Sequence, residues 1–182
     1  PVQEFLQRIL LMLLTGSERE EIFEQIRLFR EEFANWPSWA KGTPKRVNNL
    51  THYGDLMRRQ EGGSGDVFDK RAGARKAIPG HVRAAINYNN LRVIYNDSSS
   101  PAIEDGAKTI VCKLKSNPLG LTSVAYPVEL VVLPDWFKEL PFADEEMSEA
   151  LITKKVENLL GVLDWDLNEA RRNESFDEMF RF

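Results

Sequence analysis

The residues that could carry chemistry in this chain are scattered rather than clustered. His52 and His81 are far apart in sequence and lack carboxylates or thiolates at the spacing of a zinc site. The single cysteine, Cys112, falls in a segment with strand-like alternation and is predicted to be a small buried hydrophobe. Asp164 and Asp166 could hold magnesium, but an acid pair at a helix end is the more frequent arrangement. The sequence therefore predicts no self-sufficient active site, and a stand-alone nuclease or metal enzyme ranks last among the functions considered.

Charge is distributed unevenly along the 182 residues. The whole chain carries 24 basic and 28 acidic residues, with a pI near 5.4, which on average argues against nucleic-acid binding. Residues 41–115 alone hold fourteen basic and seven acidic side chains, whereas residues 1–40 and 116–182 have net charges of −3 and −8. A basic middle between acidic ends fits contact with a polyanion, or a basic surface that pairs with the acidic ends.

Several protein classes are excluded by composition. One cysteine excludes a disulfide scaffold, and the longest apolar run, residues 9–14, is far shorter than the ~20 residues of a membrane-spanning helix. The length fits one globular domain, or a domain with an appendage.

The elements that would position these residues are mostly helical. Apolar spacing predicts helices over residues 2–14, 17 to about 35, 79–95 and 144 to about 163, with a short one around Trp136. Ser17 and Glu20 form a capping-box pattern at the second helix. Residues 37–73 lack periodicity, and the Gly-rich residues 61–66 are predicted to be a mobile loop.

One small sheet is predicted among the helices. Residues 108–115 alternate, residues 121–126 read as a second strand, and Asn117 to Gly120 have turn chemistry between them. The predicted fold is α+β and mainly helical, with a small antiparallel β-hairpin that has one basic face and with a C-terminal peptide tail.

Basic and amide side chains in the middle of the chain are suited to a DNA backbone. Lysine and arginine neutralise phosphates, while asparagine, threonine and exposed loop amides donate to phosphate and sugar oxygens. A solvated basic loop is the alternative. The predicted DNA-binding residues are Lys41, Thr43, Lys45, Arg46, Asn48, Asn49, Lys76, His81, Arg83 and Asn87.

The C-terminus ends in an aromatic segment. Helical spacing puts Phe176, Met179 and Phe180 on one face, with Phe182 beside them. Such a segment either folds back on the domain or docks in a partner's groove, and the polar spacer before it favours docking.

Three stretches, in order, carry a resemblance: KRVNNLTHY (45–53), IPGHVRAAINYN (78–89) and CKLKSNPL (112–119). They resemble the thumb region of family B replicative DNA polymerases from T-even-type bacteriophages, and the tail is similar to the clamp-binding C-terminus of those enzymes. The resemblance implies that residues 1–15 end a palm helix, residues 16–167 form a DNA-gripping thumb, and residues 168–182 bind the sliding clamp. Three departures are Asp177, where the family usually has an aromatic residue, Phe176, where it has an aliphatic one, and the Gly-rich loop, which resembles an insertion.

The resemblance also implies what the chain lacks. The catalytic aspartates, the fingers and the exonuclease are absent, so this would be the C-terminal piece of a polymerase and inactive alone. Magnesium would belong to the catalytic part, and this piece would hold no cofactor. The expected partners are primer–template duplex DNA, a larger polymerase chain and the sliding clamp, in the cytoplasm of an infected bacterium and away from any membrane. The alternative hypothesis is a protein-interaction adaptor that does not bind DNA.

Overall fold

The computed structural model describes residues 2–53, 66–69, 74–161 and 165, which belong to two compact units. The helical unit contains the described residues up to Pro37 and from Glu145 onward, and the mixed unit is Ser38–Asp144. The sequence had placed a boundary between residues 15 and 16, but both sides of that point belong to the helical unit. The predicted clamp-binding tail, 168–182, lies outside the described residues.

The fold is α+β and mainly helical, as predicted. The elements in chain order are α1 (Val2–Thr15), α2 (Arg19–Ala34), a 3₁₀ turn (Ser38–Lys41), β1 (Thr43–Arg46), β2 (Asp66–Asp69), β3 (Ala74–Ala77), α3 (Gly80–Ile94), β4 (Lys108–Lys113), β5 (Ser123–Pro127), α4 (Asp135–Lys138), α5 (Asp144–Ser148), a π-helical stretch (Glu149–Thr153) and α6 (Lys154–Leu160). A further helical turn starts at residue 50 and is described as far as residue 53.

The core of the helical unit is built from one apolar stripe on each helix. Phe5 of α1 stacks on Phe29 of α2, with ring centroids 3.9 Å apart. Spacings of three and four residues bring these side chains to one face of each helix. The buried residues are Phe5, Ile9, Ile22, Ile26, Phe29, Phe33, Leu151, Ile152, Val156 and Leu160. The predicted inward face of α2 is therefore confirmed, with Phe23 partly buried against the same cluster.

The predicted capping box at Ser17 is wrong. Helix α2 begins at Arg19 with Glu18 in the N-cap position, and within the described residues no side chain caps it. The Ser17 N–H donates instead to the Met12 carbonyl at 3.0 Å, and Gly16 has a φ of +74°. This is the Schellman pattern that ends a helix, so Ser17 completes α1 rather than opening α2.

The predicted hairpin is confirmed as the centre of the mixed unit. Strand β4 pairs antiparallel with β5, and β1 adds to the other side of β4, giving the order β1-β4-β5. Helix α3 packs on β5 and β4. Its predicted extent is confirmed, and Val93 near its C-terminal end is 75% exposed.

Strands β1, β2 and β3 were not predicted. Strand β1 reads Thr-Pro-Lys-Arg, without apolar alternation, and its proline is tolerated because β1 is at the edge of its sheet. Strands β2 and β3 pair with each other in a separate antiparallel hairpin. Strands of four residues are too short to give a periodic signal.

Over the described residues, no helix is both long enough and apolar enough to cross a membrane.

Candidate nucleic-acid interface

The edge strand β1 presents two adjacent basic residues at the surface of the mixed unit. Lys45 lies opposite Thr109 of β4, and Arg46 lies opposite Lys108. Lys45, Arg46 and Lys108 are all exposed. Successive side chains of a strand point to opposite faces, so Lys45 and Arg46 flank the sheet edge from its two sides. Among the described residues no carboxylate forms an ion pair with Lys45 or Arg46.

Two exposed amide side chains follow the strand directly. Val47 is fully buried and anchors the chain, while Asn48 and Asn49 are exposed. Asn49 has a φ of +59°, a left-handed conformation that asparagine adopts more readily than most residues. Thr43, Lys45, Arg46, Asn48 and Asn49 lie in one short stretch of the chain, which we call the backbone-contact segment. Thr43 is half-buried, and the other four residues are exposed.

His81 and Arg83 lie on a different element, the first turn of α3. Both are half-buried, and Gly80 before them is exposed. Of the side chains described, none caps this helix, whose N-cap position is Pro79. Uncapped N–H groups and basic side chains in one turn suit an anion. These residues therefore form a second set of predicted contacts, separate in the fold from the backbone-contact segment.

Two of the predicted DNA-binding residues, Lys41 and Asn87, lie in the interior of the mixed unit. Lys41 is 1% exposed, and its ammonium lies 2.7 Å from a carboxylate oxygen of Asp144. Asn87 is 5% exposed and donates from Nδ2 to the Ser123 carbonyl at 2.8 Å, joining α3 to β5. Both polar groups are satisfied inside the fold, as burial requires. Lys76 lies on β3, where it pairs with Val67.

The uneven distribution of charge along the sequence corresponds to a difference in net charge between the two units. Among the described residues, eleven basic and nine acidic residues belong to the mixed unit, a net charge of +2, whereas six basic and eleven acidic residues belong to the helical unit, a net charge of −5. The basic middle therefore belongs to the mixed unit, which also takes part of the acidic C-terminal stretch, residues 116–144. A polyanion is attracted to the mixed unit and repelled by the helical unit.

Cys112 is structural. It is fully buried, its thiol lies 3.5 Å from the Trp39 carbonyl, and burial raises its pKa to about 12. The hydroxyl of Tyr126 donates to the same carbonyl at 3.2 Å, and burial raises its pKa to about 12 as well. A thiol with so high a pKa is not a nucleophile near neutral pH, and the prediction of a buried hydrophobe is confirmed.

The part of the chain that is described contains no group of three or more histidine, cysteine, aspartate or glutamate side chains that could hold a metal ion. No protein-family model matches the chain, and no curated protein matches it either. The interface is therefore interpreted from its own residues.

One residue of this interface was missed from the sequence. Lys108 was recognised as the start of a strand but not as a DNA contact. Only the register of β1 on β4 brings it opposite Arg46, and that register cannot be read while β1 itself is unrecognised. The predicted clamp-binding residues, Phe176, Met179, Phe180 and Phe182, lie outside the described residues.

Proposed function

We propose that this chain is the C-terminal thumb part of a phage replicative DNA polymerase, and that its mixed unit holds primer–template duplex through the sugar–phosphate backbone. The observation that carries the proposal is the backbone-contact segment: two exposed basic residues on an edge strand and, after the buried Val47, two exposed asparagines. Basic side chains neutralise phosphates and amides donate to backbone oxygens, which positions a duplex without reading its sequence.

The remaining parts of the proposal are supported by the resemblance of the sequence. Residues 168–182 would tether the polymerase to the sliding clamp through Phe176, Met179, Phe180 and Phe182. A larger chain would supply the palm, the fingers, the exonuclease and the magnesium-dependent chemistry. The assembled enzyme would work in the cytoplasm of the infected bacterium.

The test is charge reversal in the backbone-contact segment. The variant Lys45→Glu/Arg46→Glu is compared with Lys154→Glu/Lys155→Glu, which reverses two adjacent exposed lysines on α6 in the helical unit. The affinity of the full chain for a duplex is measured by fluorescence anisotropy over a range of salt concentrations. Because each neutralised phosphate contributes about 0.9 to the slope of log K against log salt, the first variant should lower that slope by about 2 and the second should leave it unchanged.

Two results would count against DNA binding by this segment. Equal losses in both variants would mean that net charge alone governs the affinity. Unchanged affinity in Lys45→Glu/Arg46→Glu would mean that duplex does not contact β1.

The clamp assignment has its own test. Deleting the last three residues, which include Phe180 and Phe182, should abolish binding to the sliding clamp and leave duplex affinity intact. Clamp binding that survives the deletion would refute the proposed role of the tail.

A protein-interaction adaptor is the second candidate, and exposed leucines on α1 favour it. Leu11 and Leu14 are 61% and 76% exposed, and Leu10 is 44% exposed. Apolar surface of this kind is suited to contact with another protein. The charge-reversal variants separate the two candidates, because only the polymerase proposal predicts loss of duplex binding.

A further inference from the structure

Asp105 is an acidic residue held against the basic segment proposed to contact DNA. The pairing of β1 with β4 continues past Arg46 into the turn at residues 104–107: the Val47 N–H donates to the Ala107 carbonyl at 3.0 Å, and the Gly106 N–H donates to the Val47 carbonyl at 2.7 Å. This turn therefore fixes the chain immediately before Asn48.

The carboxylate of Asp105 fixes the chain immediately after Asn49. Its Oδ1 accepts a hydrogen bond from the Leu50 N–H at 3.0 Å. Leu50 begins a helical turn in which the Tyr53 N–H donates to the Asn49 carbonyl at 3.1 Å. Asp105 thus satisfies a backbone donor at the start of this turn, as an N-cap side chain does, but from a distant part of the sequence.

Asn48 and Asn49 are the two residues held between these anchors. The Val47 bonds hold one side, the Asp105 carboxylate holds the other, and Asn49 has the left-handed φ of +59°. A left-handed residue persists where its surroundings determine its conformation. Without the carboxylate, the chain after Asn48 loses the contact that keeps the two amides in place.

We propose that Asp105 is a positioning residue that holds Asn48 and Asn49 in the geometry with which they bind the DNA backbone. The inference rests on the proposed function of the backbone-contact segment. It makes a prediction opposite to that of simple electrostatics. A carboxylate near phosphates is repulsive, so removing its charge should strengthen binding, whereas removing a positioning group should weaken it.

Glu104 provides the matched control. It is the neighbouring residue in the same turn, is exposed, and carries the same charge, and among the described contacts its carboxylate accepts no hydrogen bond. Glu104→Ala therefore removes a charge without removing an acceptor. Asp105→Ala removes both, and Asp105→Asn removes the charge but keeps an oxygen that can accept from Leu50.

The affinity of the full chain for a duplex is measured for all three variants at one low salt concentration. Asp105→Ala should bind about fivefold more weakly, the equivalent of the about 1 kcal/mol that a lost cap costs. Glu104→Ala should bind as tightly as the wild type or tighter, and Asp105→Asn should restore at least wild-type affinity. Tighter binding by both alanine variants would overturn the inference, because Asp105 would then act through its charge alone.

A second measurement needs no DNA and separates this inference from the proposed function. Hydrogen exchange of the Leu50 amide, followed by NMR, should be faster in Asp105→Ala and close to wild type in Asp105→Asn and Glu104→Ala. Unchanged exchange in Asp105→Ala would overturn the positioning role even if the chain binds duplex. Faster exchange in a chain with no affinity for duplex would instead refute the proposed function and leave Asp105 as a structural cap.

Discussion

Gly42 joins the buried Lys41 to the edge strand β1, and replacing it with alanine tests how closely this strand approaches β4. A Cβ atom at this position would overlap the Ile110 Cγ2 atom, and it would lie 2.7 Å from the Cys112 Sγ atom and 2.9 Å from the Val111 carbonyl oxygen. The carbonyl belongs to the central strand of the sheet and cannot move aside without disturbing β5. The added methyl group must therefore displace β1.

The size of the effect follows from two opposing contributions. Overpacking of this kind costs about 3 kcal/mol, at the upper end of the usual range because backbone is involved. Replacing glycine by alanine also restricts the unfolded chain, which returns about 0.5–1 kcal/mol. We expect Gly42→Ala to lower the free energy of unfolding by about 2 kcal/mol, and to weaken duplex binding because β1 carries Lys45 and Arg46.

Urea unfolding followed by tryptophan fluorescence measures this change, and Trp39 lies beside Phe142 in the same unit. Gly80→Ala is the matched control, because a Cβ atom there meets no other atom within 4 Å. That variant should unfold within about 0.5 kcal/mol of the wild type. If Gly42→Ala unfolds at the same urea concentration as Gly80→Ala, the close approach of β1 to β4 is wrong.

Three further predictions concern single groups. Asp144→Ala removes the carboxylate beside the buried ammonium of Lys41 and should lower the free energy of unfolding in urea by about 2 kcal/mol. Adding Lys41→Met to that variant should recover most of the loss. An equally unstable double variant would contradict this account. The pKa of Asp97 is held well below its usual range, chiefly by the Ser100 hydroxyl at 2.6 Å and then by the indole N–H of Trp136 at 2.9 Å. The ionised carboxylate therefore stabilises the folded chain above the unfolded pKa of about 3.9, and this stabilisation is lost as pH falls below that value. Asp97→Asn should therefore lower the urea midpoint at pH 7 and flatten its decline between about pH 5 and 3, and an unchanged decline would exclude this carboxylate as its cause. Cys112 should react with iodoacetamide at pH 8 only as fast as the chain unfolds, and rapid labelling of the native chain would contradict its burial.

The sequence was sufficient to predict helices and strands where apolar residues repeat over many positions. Helices α2 and α3 and the pairing of β4 with β5 were predicted because each buries a periodic face, and periodicity is a local property. Helical spacing also predicts an inward apolar face after Asp144. Its residues Met147, Leu151, Val156 and Leu160 are buried and Leu159 is partly buried, while Leu163 lies outside the described residues. The π-helical stretch within that run leaves no distinctive local pattern.

The candidate site was less predictable because its geometry depends on contacts between distant residues. Lys41 looked like a phosphate ligand because it belongs to a basic series, but its environment is set by Asp144, 103 positions away. The role of Asp105 depends on a hydrogen bond to Leu50 across 55 positions. Exposed Lys45 and Arg46 could be proposed from the sequence, whereas the strand that carries them could not.

The central claim is that the mixed unit binds duplex DNA through its backbone, and the salt dependence of that binding by the wild-type chain tests it most directly. Lys45, Arg46, Arg83 and Lys108 would neutralise about four phosphates, so log K should fall against log salt with a slope of about −3.6. The affinity should be equal for duplexes of unrelated sequence. A slope near zero, or an affinity that depends on base sequence, would contradict the account.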